Sequence, residues 1–105
     1  MLKLKLHSLK YQRYLKSKKW KQLSIQCRAA TNNKCCICLA PSAETHHATY
    51  HNLGKEKIGD DIFGVCLLCH KALHNKFLWV NKNQREKMHL FLKKRFKKIT
   101  SKVRI

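Results

Sequence analysis

A chain of 105 residues has room for one small domain, and a domain of this size buries a limited share of its surface, so a structural metal would help to hold it. Its formal net charge is +19, from 24 Lys and Arg against 5 Asp and Glu, which points to a polyanionic partner. No run of 18 apolar residues and no signal-peptide core occurs; this excludes a membrane-spanning helix, and sets the expectation of no membrane partner and of a cytoplasmic or other reducing intracellular setting.

The charge is unevenly placed. Residues 1–34 carry ten Lys or Arg and no acid, residues 35–74 carry three Lys and four acids, and residues 75–105 carry eleven Lys or Arg and one acid. A general bias towards Lys would not spare the centre. We therefore read 1–105 as a single domain: a basic helical N-terminal arm over 1–34, a chemical core over 35–74 and a basic C-terminal helix over 75–105.

In chain order, Leu2, Leu4 and Leu6 alternate with Lys3 and Lys5, as in a short strand or ordered arm, and His7 is expected at the surface. Tyr11, Tyr14 and Leu15 fit a short helix. Ser17 then suits an N-cap, and Trp20, Leu23, Cys27 and Ala30 follow at helical spacing as one apolar stripe. The stripe makes packing a better reading of Trp20 than base stacking. Thr31 to Lys34 is a turn, and Pro41 with Ser42 breaks the chain again.

Thr45 to Tyr50 is compatible with a short strand, 51–60 with a polar loop containing Gly54 and Gly59, and Ile62, Phe63 and Val65 with a second strand. Leu67 to His74 suits the start of a helix. Phe77 to Val80 is an apolar patch. Asn83 and Glu86 resemble a capping box. Met88, Phe91, Leu92, Phe96 and Ile99 then recur at helical spacing, with Lys93, Lys94, Arg95, Lys97 and Lys98 on other faces, and Ser101 to Ile105 reads as a frayed tail.

Two C-x-x-C pairs, Cys35 with Cys38 and Cys66 with Cys69, offer four soft ligands to a tetrahedral structural Zn²⁺. The 27 residues between the pairs leave space for an inserted functional hairpin. Cys36-x-Cys38 is a poorer chelating spacing, so Cys36 is read as a free thiol beside the site.

Five of the seven histidines fall between positions 46 and 74. His70 and His74, four residues apart on a helix, can share one metal ion. His46 and His47 are neighbours on a strand and so point to opposite sides; one can bind metal while the other stays free as a base. His51 and His89 read as exposed or satisfied residues.

Together, Cys35-x-x-Cys38, His46-His47-x-x-Tyr50, Leu53-Gly54-x-Glu56, Asp61 and Cys66-x-x-Cys69-His70 with His74 resemble the zinc-binding HNH endonucleases. Tyr14-Leu15-x-Ser17-x-x-Trp20 is similar to the lead-in helix often found in such proteins. The resemblance implies a small α+β fold, a ββα-metal hairpin-helix on a treble-clef zinc knuckle, flanked here by basic helices. It implies His47 as general base, and His46, His70 and His74 as ligands of a catalytic divalent ion. His70 is also the last histidine of the motif. Asp61 stands at the family's middle Asn position, where it would hold the loop or tune the base, and Leu39 replaces the usual Gly after the first knuckle.

The implied activity is hydrolysis of DNA phosphodiester bonds. His47 would take a proton from water, and the ion would neutralise the phosphate and steady the leaving 3′ oxygen. Three imidazoles suit Mn²⁺, Ni²⁺ or Zn²⁺ better than Mg²⁺. The rival reading is a non-catalytic zinc-dependent module that binds DNA or RNA. The basic arms suit double-stranded DNA and RNA alike, because phosphate attraction does not tell them apart.

Overall fold

The structure is a computed structural model that describes residues 9–77 and 82–103. The alternating segment Leu2–Leu6, His7, the Leu78–Val80 part of the apolar patch and the last two residues lie outside the described residues. The chain forms α1 (Leu9–Leu15), α2 (Lys18–Ala29), β1 (Glu44–His47), β2 (Ile62–Val65), α3 (Leu67–Phe77) and α4 (Lys82–Val103). This is a small α+β fold, with four helices and a two-stranded antiparallel sheet among the described residues. None of those helices is long and apolar enough to cross a membrane.

Ser17 caps α2: the Trp20 amide donates to its Oγ at 3.1 Å, while that hydroxyl donates to the Tyr14 carbonyl at 2.6 Å and turns α1 into α2. A cap of this kind contributes on the order of 1 kcal/mol. Trp20, Ser24 and Cys27 form the buried face of α2. Beyond it, Asn32 and Asn33 take positive φ, which Asn tolerates better than most residues.

The whole of β2 is buried, and it joins three apolar clusters. Ile62 packs with Trp20 and Cys27, Phe63 with Cys36 and Leu92, and Val65 with Cys35 and Leu73. Because side chains alternate, Ile62 and Gly64 meet α2, while Phe63 and Val65 meet the cysteine loop, α3 and α4. Gly64 lets α2 come close: a Cβ there would lie 3.2 Å from the Arg28 Cα and Cγ.

The register pairs Glu44 with Val65, Thr45 with Gly64, His46 with Phe63 and His47 with Ile62. It thereby assigns Thr45 and His47 to the α2 face, and Glu44 and His46 to the α3 face. β1 ends at His47, earlier than the expected Tyr50. The chain leaves the ladder there because residues 48–61 bond to themselves. The Asp61 carboxylate accepts from Asn52 Nδ2 at 3.0 Å and from the Lys57 amide at 2.9 Å, and Tyr50 turns its ring onto His47.

α4 differs from expectation at both ends. It begins at Lys82, so Asn83 is an exposed residue within the first turn and no capping box forms there. It runs on to Val103, past Ser101, because Ile99 is buried and Thr100 Oγ1 donates to the Phe96 carbonyl at 2.9 Å. Leu92 and Ile99 are buried and Met88 and Phe96 half-buried, whereas Phe91 is 42 % exposed at the edge of the stripe. Arg95 fastens the helix to the cysteine loop, donating from Nε to the Cys36 carbonyl at 3.1 Å and from Nη2 to the Ile37 carbonyl at 2.9 Å. Lys93 pairs with Asp60 at 3.0 Å, and His89 bonds the Asp60 carbonyl.

Candidate functional site

The four cysteines of the two C-x-x-C pairs converge. The Sγ atoms of Cys35, Cys38, Cys66 and Cys69 all lie within 4.8 Å of one another, and those of Cys38 and Cys66 are 3.7 Å apart. Two thiolates on one tetrahedral ion at a metal–sulfur distance of about 2.3 Å stand about 3.8 Å apart, so the set fits a structural metal site. Local structure aims the sulfurs. The Ile37 amide donates to Cys35 Sγ at 3.4 Å, and the Cys69 amide, in the first turn of α3, donates to Cys66 Sγ at 3.4 Å. Burial pushes the Cys35 thiol up, but backbone amides of Cys38, Cys66 and Ile37 outweigh it and bring the thiol down to about 7. Cys36 stands apart: fully buried, it points its thiol at the Leu92 carbonyl, and burial pushes that thiol up to about 12.

On the α3 face of the sheet, His46 meets His70 and His74. One ring nitrogen of each lies within 4.8 Å of the others. The Nε2 atoms of His70 and His74 are 3.0 Å apart, close to the spacing of two nitrogens on a single ion at about 2.1 Å each. Glu44 fixes His70 from behind, with its Oε1 2.6 Å from Nδ1. A carboxylate that takes one imidazole N–H sets the tautomer and presents the other nitrogen as a ligand. Burial, with His70 and His74 nearby, pulls His46 down to about 3, so its ring is neutral. Its buried Nδ1 has no hydrogen-bond partner among the described residues. An orphaned nitrogen in a group of three imidazoles fits a metal ion.

His47 points the other way, as its place on the strand requires. Its ring stacks between Trp20, at a centroid distance of 4.5 Å, and Tyr50, at 5.2 Å. Its Nε2 lies 2.7 Å from Glu56 Oε2, and its Nδ1 lies 3.4 Å from the Tyr11 hydroxyl. The carboxylate accepts the Nε2–H, which leaves the Nδ1 lone pair on the side of Tyr11. Burial lowers the His47 pKa against the opposing pull of Glu56, so the ring is a neutral imidazole near pH 7. Glu56 in turn accepts from the Tyr14 hydroxyl at 2.7 Å and from the Gly54 amide at 3.0 Å. Burial would raise its carboxyl, but Tyr14 and His47 hold it below the usual carboxylate range. Asp61 touches neither His46 nor His47 through its carboxylate; it braces the loop between the strands.

His70 and His74 share a cleft of about 420 Å³ with His47. α1 and α2 supply one wall, with Tyr11, Trp20, Ser24 and Arg28; His70 and His74 stand on the other. Between them run Glu44, Thr45 and His47. Residues from both faces of β1 take part and none from β2 does, so the cleft straddles the outer edge of β1. The sequence-predicted residues thus fall into three places: four cysteines at one centre, His46, His70 and His74 at another, and His47 across the strand with Asp61 in the loop beside it.

Sequence reasoning missed the supporting residues. Glu44 shares a strand face with His46, two positions before it, and that spacing is the signal that it could reach the same site. Glu56 was legible only as part of the Leu53-Gly54-x-Glu56 stretch. The sequence puts Tyr11 and Tyr14 on one short helix and Arg28 on the next, but no local pattern says that they reach the site. The chain matches no known family model, and no curated protein shows significant similarity to it.

Proposed function

We propose that this chain is a metal-dependent endonuclease of the HNH type that hydrolyses DNA phosphodiester bonds. On this reading, β1, the loop, β2 and α3 are the ββα-metal hairpin-helix, and the cysteine centre is a treble-clef knuckle holding structural Zn²⁺. His46, His70 and His74 would hold a divalent ion, Mn²⁺, Ni²⁺, Zn²⁺ or Mg²⁺, which when bound supplies positive charge to the phosphate and the leaving oxygen.

The observation that carries the proposal is the division across β1: three clustered imidazoles on one face, two of which, His70 and His74, line the cleft, and on the other face a lone, oriented imidazole that lines the same cleft. A module that only binds nucleic acid has no use for that division. His47 is the general base. Glu56 takes its Nε2–H, and the 3.4 Å contact from Nδ1 to Tyr11 is long enough that a water can compete for the lone pair. Asp61 holds the loop that carries Glu56 and keeps the carboxylate beneath the ring. His70, held by Glu44, keeps one nitrogen turned towards His74. Double-stranded DNA is the favoured substrate, and RNA offers the same phosphates to the basic arms.

The test is supercoiled plasmid incubated with protein and a series of divalent ions. Ion-dependent conversion to nicked or linear DNA is expected. One feature favours a second reading, a non-catalytic zinc-dependent nucleic-acid-binding module: the His47 side chain is only 3 % exposed and both its nitrogens face protein groups. Failure of every ion, on single- and double-stranded DNA, selects that module.

A further inference from the structure

Among the described residues, Arg28 is the one Lys or Arg that lines the cleft. It sits in the last turn of α2, half-buried, with its stem laid against the backbone of Gly64. Nη1 donates to Ser24 Oγ at 2.8 Å and reaches Thr45 Oγ1 at 3.5 Å. Those two hydroxyls are themselves bonded at 2.6 Å, which fixes the pair as a seat for the guanidinium. No carboxylate pairs with Arg28 among the described residues; Glu44 is engaged with His70, and Glu56 with His47 and Tyr14. The Nε and Nη2 donors have no protein acceptor there either.

A charged, partly desolvated guanidinium without a counter-ion, held by neutral hydroxyls in a cleft, is arranged to receive an anion. Its planar fork matches two oxygens of one phosphate. The surroundings explain why the sequence spends a glycine at 64. Any side chain there would crowd Arg28 and tilt it off Thr45. Thr45 and His47 share the α2 face of β1, so an anion held by Arg28 lies on the same face as the His47 ring.

We infer that Arg28, seated on Gly64 and held by Ser24 and Thr45, is the phosphodiester-binding residue of the cleft, fixing a strand of nucleic acid beside His47. This rests on the endonuclease reading for its consequence in cleavage but not for its consequence in binding. Arg28 touches the substrate phosphate and transfers no proton.

The experiment compares wild type with Arg28→Ala, Arg28→Lys and an exposed, uncharged control on the same helix, Gln22→Ala. Affinity for a fluorescein-labelled duplex is measured over a salt series without added divalent ion, and plasmid nicking is measured at saturating DNA. Arg28→Ala should shorten the log–log salt slope by about 0.9, the share of one phosphate, and lower the saturating rate on the order of tenfold. Arg28→Lys should restore the slope but not the full rate, since a point charge lacks the fork. Gln22→Ala should leave both the slope and the saturating rate at the wild-type value. Arg28 variants that match Gln22→Ala in rate would overturn the assignment. Thermal melting separates a folding defect: if Arg28→Ala melts early, the rate gap between Arg28→Lys and wild type decides. If wild type does not cut at all, the endonuclease reading fails and the binding arm still decides the subsite: an unchanged slope in Arg28→Ala overturns it, and a shorter one upholds it.

Discussion

His47 Nε2 and Glu56 Oε2 lie 2.7 Å apart, with side chains only 3 % and 0 % exposed. The pair ties the end of β1 to the far side of the loop, and Tyr14 adds a third anchor from α1. Removing the carboxylate leaves a buried imidazole N–H and a tyrosine hydroxyl without an acceptor. Glu56→Ala should therefore destabilise the fold by on the order of 3 kcal/mol, and Glu56→Gln by less. The pH dependence follows from the lowered carboxyl of Glu56. The unfolded chain holds the proton to higher pH than the folded one, so the contribution is present above the ordinary carboxylate value and is lost as pH falls through the folded value. Urea melts of wild type and Glu56→Gln should differ most near pH 7 and converge in acid. A constant gap down to pH 3 would show that the carboxylate charge contributes nothing.

The cysteine centre makes a second prediction. It fastens the loop at 35–38 to the first turn of α3, and Arg95 carries the same loop to α4. The protein should hold one zinc ion at this centre, and Cys38→Ser or Cys66→Ser should lose that ion together with most of the cooperative melt. Cys36→Ala is the contrast. Its thiol lies outside the group of four, so this variant should keep the metal and lose only packing stability, by about 1–2 kcal/mol. Elemental analysis with thermal melting reads both. A Cys66→Ser protein that melts like wild type would remove the centre from the folding argument.

Leu39 gives a third. It follows the first knuckle with φ at 69°, in the left-handed region, and is 48 % exposed. A branched side chain there costs about 1–2 kcal/mol that glycine would not. Glycine returns part of this through the greater freedom of the unfolded chain. Leu39→Gly should be stabilising by up to about 1 kcal/mol, visible as a higher denaturation midpoint with metal content unchanged. A lower midpoint would mean that the apolar contacts of Leu39 outweigh its backbone strain.

How much was legible turns on whether a feature is local. The cap at Ser17, the presence of two strands, the helix after Cys66 and the two C-x-x-C pairs are written in short-range patterns, and each stands where those patterns put it. The ends of β1 and α4 were not legible. Asp61 closes the loop on itself and cuts the strand short, while burial of Ile99 carries α4 past the expected fray. Neither shows in hydrophobic spacing alone: the first depends on a carboxylate folding back on its own loop, the second on burial of the last turns. The same holds at the site. His46 and His47 divide because strand side chains alternate, which can be read from two adjacent letters. Glu56 and Tyr14 are 42 residues apart, and nothing in either neighbourhood announces the other.

The division of His46 from His47 leads to the prediction that tests the chemistry most directly. His46 stands with His70 and His74, whereas His47 stands with Glu56, Trp20 and Tyr11. The two faces should therefore fail differently. His47→Ala removes the proposed base and leaves all three clustered imidazoles; it should lower plasmid nicking on the order of 10²-fold or more, with DNA affinity retained. It also opens a cavity beneath Trp20, so some loss of melting temperature is expected and must be separated from the loss of rate by assaying well below the melt. His74→Ala removes one of three imidazoles and leaves the His47–Glu56 pair untouched. Its defect should be a weaker hold on the divalent ion, so nicking should recover in part as metal is raised. Raised metal should not restore His47→Ala. Nicking rates for both variants across a metal titration make the comparison. Full rescue of His47→Ala by metal would transfer that residue to the ion-binding side, and wild-type rates in His47→Ala would remove it from the chemistry.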